Sequence, residues 1–132
     1  MALLSIFLAA LAGFAFGAVW YMTLSRPWMA AASIPMTPDG KPAGNGSPLP
    51  FVLSGIAMLL VASMMRHFFA ASGVAGPGAG VVAGLGIGLF FISPWIMINN
   101  AYAMRPFRLT LIDGGYATFG CAIIGLVLSL LG

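Results

Sequence analysis

Charge is what this sequence has least of. Its 132 residues carry five Lys or Arg and two Asp or Glu, 5% charged in all, where an ordinary soluble domain has about 25%. That scarcity excludes a water-facing surface wrapped around a globular core, and five scattered basic residues do not make a nucleic-acid footprint. The one cysteine, Cys121, excludes an intrachain disulfide and reads as a small hydrophobe in a helix. One histidine, His67, and one thiol cannot form a zinc set, and the nine methionines are spread through apolar runs as packing residues rather than copper ligands. Gly84-Leu85-Gly86-Ile87-Gly88 is not a nucleotide loop, because neither a preceding strand nor a following Lys supports it. No Ser, His and acid set stands at a common depth. The expectation is a protein that is not an enzyme, carries no cofactor and has no nucleic-acid partner.

Apolar length is what the sequence has in excess. It is 61% hydrophobic with a mean hydropathy of +1.09, so lipid is the solvent it suits. Four runs, about residues 2–24, 51–71, 78–104 and 107–131, are each long enough to cross a bilayer at about 1.5 Å per residue. The expected fold is all-α: a polytopic transmembrane four-helix bundle forming one domain over 1–132. Between the first two runs lies a Pro/Gly-rich loop, residues 25–50, holding Pro27, Pro35, Pro38, Pro42, Pro48, Pro50, Asp39-Gly40 and Gly44-Asn45-Gly46. Within it, Trp28 to Ser33 has the composition of a short interfacial helix with Trp28 at headgroup level, and the sequence does not choose between helix and loop there. Ala15-Phe16-Gly17-Ala18 loosely matches a signal-peptide cleavage site. No basic segment precedes it, and the run continues through Val19-Trp20-Tyr21-Met22, so a retained helix is expected.

Orientation follows from where the few charges sit. Arg26, Lys41, Arg105 and Arg108 fall in the two connections that share one side of a four-span chain, with Arg66 near the far end of the second span. The positive-inside rule then places the long loop in the cytoplasm and both termini outside, in a cell (inner) membrane. Arg26, Trp28, Arg66, Arg105 and Arg108 are the expected interfacial residues.

Two stripes of small residues repeat every fourth position: Ser5, Ala9, Gly13 and Gly17 in the first span, and Gly76, Gly80, Gly84 and Gly88 in the third. Such stripes let backbones approach closely where lipid removes the hydrophobic drive for association. The expectation is that helix one packs on helix three, with a homodimer seam as the alternative. Ser93-Pro94 removes a backbone donor in mid-span, which predicts a break that frees a carbonyl for Ser93 or for water. That break lines a cavity or bends around a neighbour.

Asp113 is the charge the membrane must justify, since a carboxylate at helix centre costs about 2.5 to 3.5 kcal/mol on insertion scales. It lies about 9 Å into the last span, while Asn99 and Asn100 lie about 6 to 8 Å, and Trp20 and Tyr21 about 5 to 6 Å, from the same face. These depths predict one polar layer joining Asp113 to Asn99 or Asn100 and to Tyr21, beside Trp20, with Tyr116 less than a turn deeper. Gly114 and Gly115 leave room beside it for a helix or a ligand. The layer is read as an interhelical pin, with a proton or cation site as the alternative. Arg66 stands about 13 Å away in depth and snorkels to the outer headgroups with His67, and Arg108 is about 140° around the helix, so neither pairs with Asp113.

Two blocks carry a family resemblance. Gly17-Ala18-Val19-Trp20-Tyr21-Met22 followed by Arg26-Pro27-Trp28-Met29, and Arg105-Pro106-Phe107-Arg108-Leu109 with Leu111-Ile112-Asp113-Gly114-Gly115-Tyr116, resemble the two signatures of the small membrane proteins called domain of unknown function 1761. The resemblance spans essentially the whole chain, while residues 35–50 depart from its pattern. It implies an integral membrane fold and draws attention to Trp20, Tyr21, Trp28, Asp113 and Tyr116 without implying an activity. The function expected is that of a non-enzymatic membrane protein, an accessory or assembly subunit or a small homo-oligomer, whose partners are the bilayer and another protein or copy. The alternative is a small proton- or cation-coupled transporter or channel using Asp113. No small-molecule or ion ligand is specified by the sequence.

Overall fold

A computed structural model describes residues 2–43 and 47–132; Gly44-Asn45-Gly46, read above as part of the loop, lie outside the described residues. Among the described residues five helices follow one another: α1 (Ala2–Thr23), α2 (Ser25–Ala32), α3 (Leu49–Ser72), α4 (Pro77–Tyr102) and α5 (Phe107–Leu131). All but α2 are long and apolar enough to cross a membrane, and no β-strand forms among the described residues. The protein is therefore a helical membrane protein with four candidate spans.

Prolines begin the later helices, where a missing N–H costs nothing. Pro48 and Pro50 open α3, Pro77 opens α4, and Pro106, extended at ψ 152°, precedes α5. Gly73 closes α3 in the left-handed conformation at φ 72°, with its N–H on the Phe69 carbonyl. The segment of uncertain form after the first span is helical: α2 begins at Ser25, three residues earlier than expected, and ends at Ala32. Leu24 links α1 to α2, donating to the Trp20 carbonyl and accepting from Trp28, so the chain turns without leaving its hydrogen-bond ladder. Beyond it, residues 35–43 close a tight turn in which Ala43 N–H donates to the Pro35 carbonyl at 2.7 Å and Arg26 lies over Gly40. Asp39 is held there by the Thr37 hydroxyl.

The break expected at Ser93-Pro94 takes the form of a π-helical turn over Ile87–Ile92. Both the N–H and the hydroxyl of Ser93 go to the Gly88 carbonyl, the hydroxyl at 2.7 Å. The Gly88 carbonyl thus takes two donors from one residue at the wide turn that precedes the proline.

Helix α5 is the hub. It packs against α4 most extensively, then α1, and touches α3 lightly; α3 rests mainly on α1. The core joins Ala9 and Ala10 of α1, Ala62, Met65 and Phe69 of α3, and Cys121, Ile124 and Leu128 of α5. The glycine stripes do not pack helix one on helix three as expected. Both face α5 instead. A Cβ at Gly80 would strike Ser129 and the Gly125 carbonyl; one at Gly84, the Cys121 carbonyl; one at Gly88, the Ala117 carbonyl. On α1, Gly13 lies against Ile124 and Gly17 against the Tyr116 ring. The physical reason is that a stripe of small residues needs an equally shallow groove opposite. Gly114, Thr118, Cys121-Ala122, Gly125 and Ser129 supply one along α5, at the same spacing of three or four. The π-turn keeps this seam in phase: Gly80, Gly84 and Gly88 step by four, and the next contact, Ser93 against Gly114, needs a step of five.

A methyl group added at Gly84 meets backbone and has nowhere to go, so Gly84→Ala is expected to cost about 1 to 3 kcal/mol as overpacking. Gly86 has open space around its Cβ position, and Gly86→Ala is expected to be neutral or slightly stabilising. Unfolding of both variants in mild detergent checks this; equal stabilities would remove the seam's importance.

Candidate functional site

The end of the bundle nearest Arg26, Arg105 and Arg108 is where α1, α2 and α5 interlock. The Tyr21 hydroxyl donates to Asp113 Oδ1 at 2.7 Å. One residue back on each helix, the Trp20 indole N–H donates to the Ile112 carbonyl at 2.9 Å. The Tyr116 hydroxyl donates to the Gly13 carbonyl at 3.0 Å. A carboxyl group and three aromatic donors placed in lipid are costly unless paired, and these three bonds pair them across the α1–α5 seam. Glycines make the approaches possible: the Tyr116 ring lies across Gly17, and the Trp20 ring lies on Gly115. Tyr21 and Tyr116 meet edge to face at 5.5 Å between centroids, and Trp28 of α2 packs edge-on against Tyr21 at 5.9 Å.

The structure thus brings Trp20, Tyr21, Asp113 and Tyr116 into one cluster with Trp28 against it. It does not bring in the asparagines. Asn100 donates to the Thr110 hydroxyl at 3.3 Å, and Asn99 is exposed. Depth fixes how far along a helix a residue lies and not which way it faces, so residues at the depth of Asp113 can point elsewhere. Ile92 and Ile96, not the asparagines, then face the acid. Arg105 and Arg108 are exposed beyond this end. Arg66 is at the other end of the bundle, where it donates to Ser5 Oγ and to the Gly132 carbonyl, each at 3.3 Å. His67 is exposed there beside Phe68.

Helices α3 and α4 are joined by a short turn yet hardly pack on each other, and the space between them is a cleft of about 380 Å³. Asp113, Tyr21 and Tyr116 stand at its head. Its walls are Met58 and Val61 of α3 and Ile92 and Ile96 of α4, and its floor is α5 from Ala117 through Gly120 and Cys121 to Ile124. Asp113 Oδ2 makes no hydrogen bond to the described residues. It is not sealed away either, for no side-chain polar atom among them is both buried and unpartnered. The wall residues were not singled out from sequence; nothing in an apolar run says which of its faces is left unfilled. Ser93 and Thr118 brace the π-turn beside the cleft, Thr118 donating to the Gly114 carbonyl at 2.8 Å.

The interlocking residues are those of the two signature blocks, and a family model matches residues 4–129. The chain belongs to the family described as "Protein of unknown function (DUF1761)". No curated protein and no solved structure matches it. In this DUF1761 chain the two blocks, about ninety residues apart, are the two halves of one joint: Gly17, Trp20 and Tyr21 on α1 receive Tyr116, Gly115 and Asp113 from α5. No group of three or more His, Cys, Asp or Glu able to hold a metal occurs among the described residues.

If Tyr21 and Asp113 act as a pair, Tyr21→Phe and Asp113→Asn are not additive. A double-mutant cycle by unfolding in detergent is expected to give a coupling of about 0.5 to 1.5 kcal/mol, the range of intramembrane hydrogen bonds. Simple additivity would mean the pair is not formed.

Proposed function

We propose that this DUF1761 protein is a non-enzymatic integral membrane protein that serves as an accessory or assembly subunit, working through contacts in the plane of the membrane. The observation that carries this reading is where its polar groups go. Trp20, Tyr21, Tyr116, Ser93 and Thr118 each give their donor to another helix or to the backbone beside the seam. Asp113 is pinned at one end, the Tyr116 hydroxyl beside it is spent on the Gly13 carbonyl, and from Ala117 to Ile124 the cleft is lined by apolar side chains, glycine and one cysteine. A coupled transporter needs polar stations deeper in the membrane, and this lining offers a proton or cation none. A joint that fixes helix angles suits a protein whose shape is its function.

By the distribution of Arg26, Lys41, Arg105 and Arg108 against Arg66, we place residues 25–50 in the cytoplasm and the protein in the inner membrane. Co-purification in mild detergent is expected to bring down a stoichiometric membrane partner. A symmetric homo-oligomer with a polar axis would overturn the subunit reading, and a cation flux in proteoliposomes that Asp113→Asn abolishes in folded protein would establish the transporter reading. For the orientation, Asn45→Cys in a Cys121→Ala background is expected to resist a membrane-impermeant thiol reagent in intact cells and react after lysis. Ready labelling from outside reverses the topology.

A further inference from the structure

The cleft has a chemistry that the joint does not use up. Asp113, which lines the cleft, spends Oδ1 on Tyr21 and leaves Oδ2 accessible and without a hydrogen bond among the described residues. None of the cleft's lining residues is basic. A carboxyl oxygen in lipid with an unfilled valence is best met by a cationic donor, because an ammonium supplies both the hydrogen bond and the neutralising charge, whereas a hydroxyl supplies only the bond. Below that oxygen the floor runs from Asp113 to Ile124, about 16 Å of helix at 1.5 Å per residue, entirely beside apolar walls. The volume of about 380 Å³ lies at the low end of small-molecule sites, about 300 to 1,000 Å³. A transmembrane helix about 10 Å across does not fit such a space, so a second copy or a partner's span is not its occupant. Nor does a two-chain lipid fit. The cleft lies between two spans that hardly touch, which makes the bilayer its natural route of entry.

We propose that this cleft is a binding site for a bilayer-borne, single-chain amphiphile with a protonated amine head, the ammonium resting on Asp113 Oδ2 and the chain lying along α5 between α3 and α4. The site goes beyond the subunit reading and is tested without any partner protein, so either stands or falls alone.

The test uses the whole protein in phosphatidylcholine nanodiscs and a dodecylamine analogue carrying a diazirine in its chain. Labelling is expected to saturate and to map to residues 58–61, 92–96 and 117–124. Dodecylamine is expected to compete about tenfold better than dodecanol, and dodecanoate not at all. Asp113→Asn is expected to erase the preference of amine over alcohol. Ala117→Leu narrows the floor and leaves the Tyr21 contact in place, and it is expected to reduce labelling several-fold. If Asp113→Asn does not fold, the amine-to-alcohol ratio and Ala117→Leu decide alone. Labelling that does not saturate, that falls equally on the outward Phe90 and Phe91, or that dodecanol suppresses as well as dodecylamine does, overturns the proposal.

Discussion

The arrangement depends on backbone approaching backbone along α5. In lipid, apolar side chains gain nothing by leaving their surroundings, so helices are held by close van der Waals packing and by polar groups that need partners. Gly80, Gly84 and Gly88 give α4 a face with no side chains, and the carbonyls of Gly125, Cys121 and Ala117 sit directly against it. Everything else is arranged around that line of contact. Helix α1 takes the adjacent flank through Gly13 and Gly17, and α3, whose one glycine, Gly55, meets no neighbour, leans on α1.

Against this seam the polar joint has a different task. Packing of small residues sets how near two helices come but leaves them free to slide, since one glycine step resembles the next. The bonds of Trp20 to Ile112, Tyr21 to Asp113 and Tyr116 to Gly13 occur once each. They therefore fix the register of α1 on α5, and with it the place where α3 stands and the width of the gap it leaves before α4. Affinity between helices and choice of register come from separate residues, as in bundles where a lone polar position selects one alignment.

Much of this was legible in the sequence, for reasons that differ by feature. The spans were legible because a bilayer imposes a length and an apolar content on anything that crosses it. Tyr21 and Asp113 could be matched because depth is simple arithmetic on a helix. The same arithmetic misled at Asn99 and Asn100, because a shared depth says nothing of the side of the helix on which a residue stands. The partner of the glycine stripes was misread for a related reason: the groove on α5 is made of Gly114, Thr118, Ala122, Gly125 and Ser129, whose varied types hide a common smallness. The cleft itself was not legible, since an unfilled face between α3 and α4 is a property of what fails to pack.

The hub helix also carries a consequence for the order of events during synthesis. Helix α5 follows all its neighbours along the chain, and chains are assembled from the N-terminal end. When α1 and α4 enter the bilayer, the groove that both stripes match does not yet exist, and α1 has only α3 to hold. Until the last span arrives, the bare faces of Gly80, Gly84 and Gly88 are open to any other helix with small residues. Biogenesis of this fold is then a matter of keeping an early half-assembled pair from being claimed by strangers, and its final span works as a clasp that closes the molecule all at once.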